Sequence, residues 1–106
     1  MKVTFKQWEC YAHGAYYPND RMAIMLKEVG TNEPVATATV NLPDYDIPDE
    51  TAFIKDYSEN EGMVQSLIDA DIIYPFLVGH AKSGYVDIPL YIITDEAIDK
   101  LFPKYV

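Results

Sequence analysis

The chain has one cysteine in 106 residues, Cys10, so no intramolecular disulfide can form. That suits a reducing cytoplasm and leaves the hydrophobic core to hold the fold. Basic residues are scarce, eight Lys and Arg against seventeen Asp and Glu, giving a formal charge of −9. Direct binding to DNA or RNA rests on basic side chains neutralising phosphates, and attachment to an anionic membrane needs them too. Neither is expected here. Long hydrophobic runs are missing as well: the longest, Ile72 to Val78, contains Pro75 and falls far short of a bilayer span. Met1 to Glu9 lacks the uninterrupted apolar core of a signal peptide. There is no internal repeat and no low-complexity segment. A single cytoplasmic domain over residues 1–106 is expected.

What is present is aromatic and acidic. Nine Tyr, four Phe and one Trp supply apolar area that offsets chain entropy, which argues against disorder. Nine of the acids fall between Asp44 and Asp71, where Lys55 is the one base, a local charge of −8. The rest of the chain holds eight acids and seven bases and is nearly neutral. The middle third therefore dominates the electrostatic field, repelling nucleic acid and attracting basic partners.

The hydrophobic pattern gives an α+β reading. Val3, Phe5 and Gln7 alternate with Thr4, Lys6 and Trp8, predicting a strand to about Tyr11. His13-Gly14 and Tyr17–Asp20 are turn-rich. Arg21 to Val29 suits either a strand or a short helix, Gly30 to Pro34 is a hairpin loop, and Val35 to Val40 has strand composition. The first 42 residues thus read as a three-stranded antiparallel meander. Leu42 to Glu50 holds two prolines and four acids and is a loop. Thr51 to Lys55 is a short fourth strand. Ser58 and Glu61 fit a capping box opening a helix that runs to about Ala70 on Met63, Val64, Leu67 and Ile68. Ser83-Gly84 is a turn, and Tyr85 to Ile93 a strand in which Pro89 marks an edge or a bulge. Thr94 caps a last short helix, Asp95 to Phe102, which Pro103 ends. The expected architecture is an antiparallel sheet of the meander plus one or two later strands, with two short helices on one face.

Leu42-Pro43-Asp44-Tyr45, the segment Phe53 to Met63, and Ser83 to Pro89 resemble a family of small acidic proteins of phages, plasmids and their bacterial hosts, a domain of unknown function. The match covers residues 42–93, and Lys55 to Gly62 is its most specific part. The resemblance implies a mobile-element accessory protein and carries no catalytic residues across. Such sequences often have Gly at the end of the first helix, where this one has Asp71; a left-handed helix end remains feasible there at some cost.

Site chemistry is sparse. Cys10, His13 and His80 offer three zinc ligands where a structural site normally wants four, and a cysteine on a strand is more often a small buried hydrophobe. Asp44, Asp46, Asp49 and Glu50 provide hard oxygens in a loop but lack the spacing of a calcium-binding EF-hand. No cofactor or metal is therefore expected. Cys10 and His13, three apart on a strand, should fall on opposite faces, which weakens a nucleophile–base reading. A small hydrolase or metal-dependent enzyme using Cys10, His13 or His80 stands as an alternative, as does a self-assembling component joined through Ile72 to Val78.

The leading expectation is a non-enzymatic binding surface of acids interleaved with tyrosines: Asp44, Tyr45, Asp46, Asp49, Glu50, Asp56, Tyr57, Glu59 and Glu61. Tyrosines anchor interfaces with large area and few torsions to freeze, and carboxylates pair with Lys and Arg. The expected partner is a basic protein, with a nucleic-acid-handling enzyme the commonest kind in a bacterium. Together with the resemblance, this points by analogy to a phage-borne inhibitor of host defence of the anti-CRISPR or anti-restriction type, acting by nucleic-acid mimicry.

Overall fold

The computed structural model describes residues 1–103. The first sheet is a meander of four antiparallel strands, β1 (Lys2–Phe5), β2 (Trp8–Tyr16), β3 (Met22–Glu28) and β4 (Pro34–Thr37), in the order β1-β2-β3-β4. The expected single strand to Tyr11 is in fact a hairpin, with Phe5 opposite Trp8 and Lys6 in the left-handed region at φ 54°. Its turn carries no Gly, Asn, Asp or Pro, so alternation ran through it unbroken. His13-Gly14, expected as a turn, lies inside β2. Gly14 serves close approach instead: a Cβ there would sit 2.2 Å from the Leu101 carbonyl oxygen. Arg21–Val29 resolves as strand, because β3 pairs with β2 on one side and β4 on the other.

Val35 to Val40 was expected as one strand, but the chain breaks at Ala38. The Ala38 N–H donates to Ile24 of the first sheet, and its carbonyl accepts from Lys55 beside the second. Beyond it, β5 (Thr39–Val40) opens a second antiparallel sheet with β6 (Thr51–Ile54), β7 (Ile73–Ser83) and β8 (Val86–Ile93), in the order β5-β6-β8-β7. The fold is α+β as expected, with two sheets in place of one. Pro89 is on β8, an inner strand. However, β6 reaches only Leu90 to Ile92, so at Pro89 the paired neighbour is His80 of β7.

The main core gathers Val3, Phe5, Cys10, Ile24 and Leu26 from the first sheet with Ala52, Ile54, Ile73 and Ile93 from the second. Helices α1 (Met63–Asp69) and α2 (Asp95–Leu101) close it with Met63, Leu67, Ala97 and Ile98. A smaller cluster, Phe53, Ala81, Ile88 and Leu90, lies on the other side of the second sheet, and Leu42, Ile47 and Tyr57 pack on it. Each such large apolar side chain contributes about 1.5–3 kcal/mol when fully buried, so this cluster ties the 41–50 loop to the sheet.

The expected capping box is absent. Ser58–Asn60 forms a 3-10 turn, with Ser58 at φ 57° and its carbonyl accepting from Glu61 N–H. Helix α1 starts only at Met63, after Gly62 at φ 96°, so Glu59 and Glu61 lie outside its first turn. Its free amides are met from farther back: one Asp56 carboxylate oxygen accepts from Gly62 N–H at 2.8 Å and the other from Val64 N–H at 2.9 Å. The helix ends with Asp71 at φ 59°, where Asp71 N–H donates to Ile68 and Ile72 N–H to Leu67, the paired bonds of a Schellman motif. Thr94 caps α2 as expected, accepting from Ala97 N–H at 3.1 Å, and its hydroxyl donates to the Asp71 carbonyl at 2.7 Å.

Candidate partner-binding surface

The nine acidic and aromatic residues separate into two groups with different roles. The first is the 42–50 loop. Arg21 is placed at the start of β3, and its guanidinium donates to the Leu42 carbonyl at 2.6 Å and to the Tyr45 carbonyl. The Tyr45 ring meets Phe53 edge-on at 6.1 Å, and its hydroxyl donates to the Lys82 carbonyl at 3.2 Å. Thr51 closes the far end by donating to the Pro48 carbonyl at 2.6 Å. Tyr45 therefore pins the loop while leaving part of its ring in solvent. With the backbone so held, Asp44, Asp46, Asp49 and Glu50 all point into water. Among the described residues, none of these four carboxylates has a Lys or Arg partner within 4.0 Å. Asp49 and Glu50 share with Asp20 and Arg21 the wall of a pocket of about 340 Å³.

The second group, Glu61 apart, is engaged with other parts of the molecule. Asp56 is half-buried and uses both oxygens on the start of α1. Glu59 is held by Lys55 at 2.6 Å, and that hydrogen bond is the main cause that lowers its carboxyl to about 2. The same bond pushes the Lys55 ammonium up. Lys6 donates to the Glu59 carbonyl at 2.7 Å, and Lys55 lies over the Tyr57 ring at 5.6 Å. Tyr57 packs beneath the turn on the Phe53 cluster. Of this group, Glu61 alone is exposed with no side-chain partner among the described residues.

Cys10, His13 and His80 occupy three separate places. Cys10 is fully buried in the main core, where burial, followed by the Glu28 and Glu9 carboxylates, pushes its thiol up and away from the reactive thiolate. His13 falls on the opposite face of β2, its Nε2 buried without a hydrogen-bond partner among the described residues. His80 is exposed on β7, 3.8 Å from Asp87. Among the described residues no three His, Cys, Asp or Glu groups are placed to hold a metal ion. No described helix is long and apolar enough to cross a membrane.

Sequence reasoning treated Ile72 to Val78 as a uniform apolar contact. The structure divides it: Ile72 and Ile73 are core, while Phe76 is 70% exposed and Leu77 59%. Register shifts between Ile73 and Leu77, and again before Gly79, push this part of β7 out of regular pairing. The uncharged run with Pro75 was the available signal. Comparison of the chain with family models, with curated proteins and with solved structures found no match.

Proposed function

We propose that this chain is a non-enzymatic binding protein of mobile-element origin that engages the Lys/Arg-rich, nucleic-acid-facing surface of a host enzyme and inhibits it. The observation that carries the reading is the 42–50 loop, with four solvated carboxylates lacking an ion-pair partner among the described residues, on a backbone fixed by Arg21 and Tyr45. A preordered loop loses little conformational entropy on association. Its net negative charge steers a basic partner and then pairs with it. Cys10 in the core, His13 on the other face of the same strand and His80 exposed on β7 do not form one site, which favours binding over the hydrolase reading.

The test is affinity capture from a bacterial host lysate with nuclease added, at low and at high salt. The partner's nucleic-acid binding is then measured with and without this protein. A basic enzyme captured more fully at low salt than at high salt and displaced from its nucleic acid is the expected result. Recovery of no partner, or of one that binds its nucleic acid unhindered, contradicts the proposal.

A further inference from the structure

The bulged part of β7 has features of an interface centre. Tyr74, Phe76, Leu77 and Val78 are all exposed, and so is Ile92, which β8 places between the Ile73–Ile93 and Leu77–Tyr91 pairs. Leu77 shares the sheet face of its partner Tyr91 while Ile92 lies on the face of Leu90, so these apolar side chains cover both faces of the bulged segment. The bulge and Pro75 break the ladder, so this is a surface of side chains rather than a strand edge open to pairing.

The chain at the Tyr74 end of this segment is acidic. Residues 69–79 and 92–99 meet here, through the Thr94 hydroxyl on the Asp71 carbonyl and the Tyr74 hydroxyl accepting from Asp95 N–H at 3.3 Å. These two segments carry Asp71, Asp95, Glu96 and Asp99, all exposed, while Asp69 lines a separate hollow with Lys2, and His80 lies beside Leu77 at the far end of the segment. Lys100, just beyond, is held on Glu96 at 2.9 Å. Asp71 and Glu96 line a hollow of about 310 Å³ floored by Ile68, Ile73 and Pro75. An apolar centre inside a charged rim is the usual anatomy of a protein interface. A second copy of this chain would set one acidic rim against another, whereas a partner with an apolar contact framed by Lys and Arg matches both parts.

We infer that the Tyr74–Val78 bulge, rimmed by Asp71, Asp95 and Glu96, is a docking surface for an apolar segment flanked by Lys and Arg on a basic protein partner. This rests on the binding reading above and places the apolar anchor on β7, where the loop carboxylates supply attraction. Such an interface keeps affinity at high salt, because burial of Phe76 and Leu77 is not screened.

Two synthetic peptides of equal length and charge test it, one alternating Lys with Leu and one alternating Lys with Ser, titrated into the wild type and into Phe76→Ser. Phe76 is exposed, so the variant should fold, which circular dichroism checks. The expected result is that both peptides bind at low salt and only the Lys–Leu peptide at high salt. Amide shifts should centre on Tyr74 to Val78 and Ile92, and Phe76→Ser should weaken the Lys–Leu peptide about tenfold without affecting the other. Equal binding of both peptides, unchanged by Phe76→Ser, overturns the docking surface and leaves the acidic-loop reading standing. Binding of neither peptide at low salt overturns both. A concentration-dependent dimer that Phe76→Ser abolishes also overturns it, by assigning the surface to a second copy.

Discussion

Asp56 shows how one side chain changes role once its neighbours are known. In sequence it belongs to an acidic, tyrosine-flanked string, but in the fold it caps α1 through two amides. Asp56→Ala is therefore expected to lower stability by about 1–2 kcal/mol, as loss of a helix cap does. Urea unfolding with an unchanged slope would measure this, and an unaffected midpoint would remove Asp56 from its capping role. Glu59 has a different signature. Its carboxyl lies at about 2 against an ordinary 4.5, so the folded state holds the charged form more tightly than the unfolded chain does. The resulting stability is complete above the unfolded value and is lost as pH falls from about 4.5 towards 2. The pair is exposed, so the effect is small and salt-sensitive. The stability difference between wild type and Glu59→Gln should shrink across that window, and a constant difference would show that Lys55 does not hold the charge.

At the level of elements, the contact between β2 and α2 makes the sharpest prediction. Gly14→Ala puts a Cβ into the Leu101 carbonyl, so α2 must shift. A cost of about 1–3 kcal/mol is expected, as for overpacking elsewhere, with a lowered melting temperature as the readout. An unchanged melting temperature would mean that α2 does not lie against Gly14. This glycine also shows where sequence reasoning stops. Its freedom from side-chain bulk is used for a contact with Leu101, far along the chain, while a local reading of His13-Gly14 suggests a turn. The Lys6 hairpin fails the other way, because a left-handed lysine leaves no compositional mark. Elements whose signals are local were legible: Thr94 as a cap, Ser83-Gly84 as a turn, the two-proline loop, and the helical spacing of Met63 and Leu67. The split at Ala38 was not, since a small apolar residue between two Thr-rich stretches looks the same whether the chain stays in one sheet or crosses to another.

Across the whole molecule, charge placement carries the functional account. The charge of −9 was plain from composition, but which carboxylates are available to a partner was not. Lys55 is committed to Glu59 and Lys100 to Glu96, while Arg21 sits on two loop carbonyls and offsets one of the loop's four negative charges without pairing with a carboxylate. Asp56 and Glu59 are tied into the fold, the acids of the loop face water, and those beside Tyr74 came together only through the meeting of β7 and α2. The role of the loop is decided by comparing capture of a basic protein by the wild type and by an Asp44→Lys, Asp46→Lys, Asp49→Lys variant. The altered side chains are solvated and outside every core contact, so the variant should melt close to the wild type. The account predicts at least about a tenfold loss of affinity at low salt, the size expected when attractive interface charges become repulsive. Undiminished binding by a folded variant would contradict it.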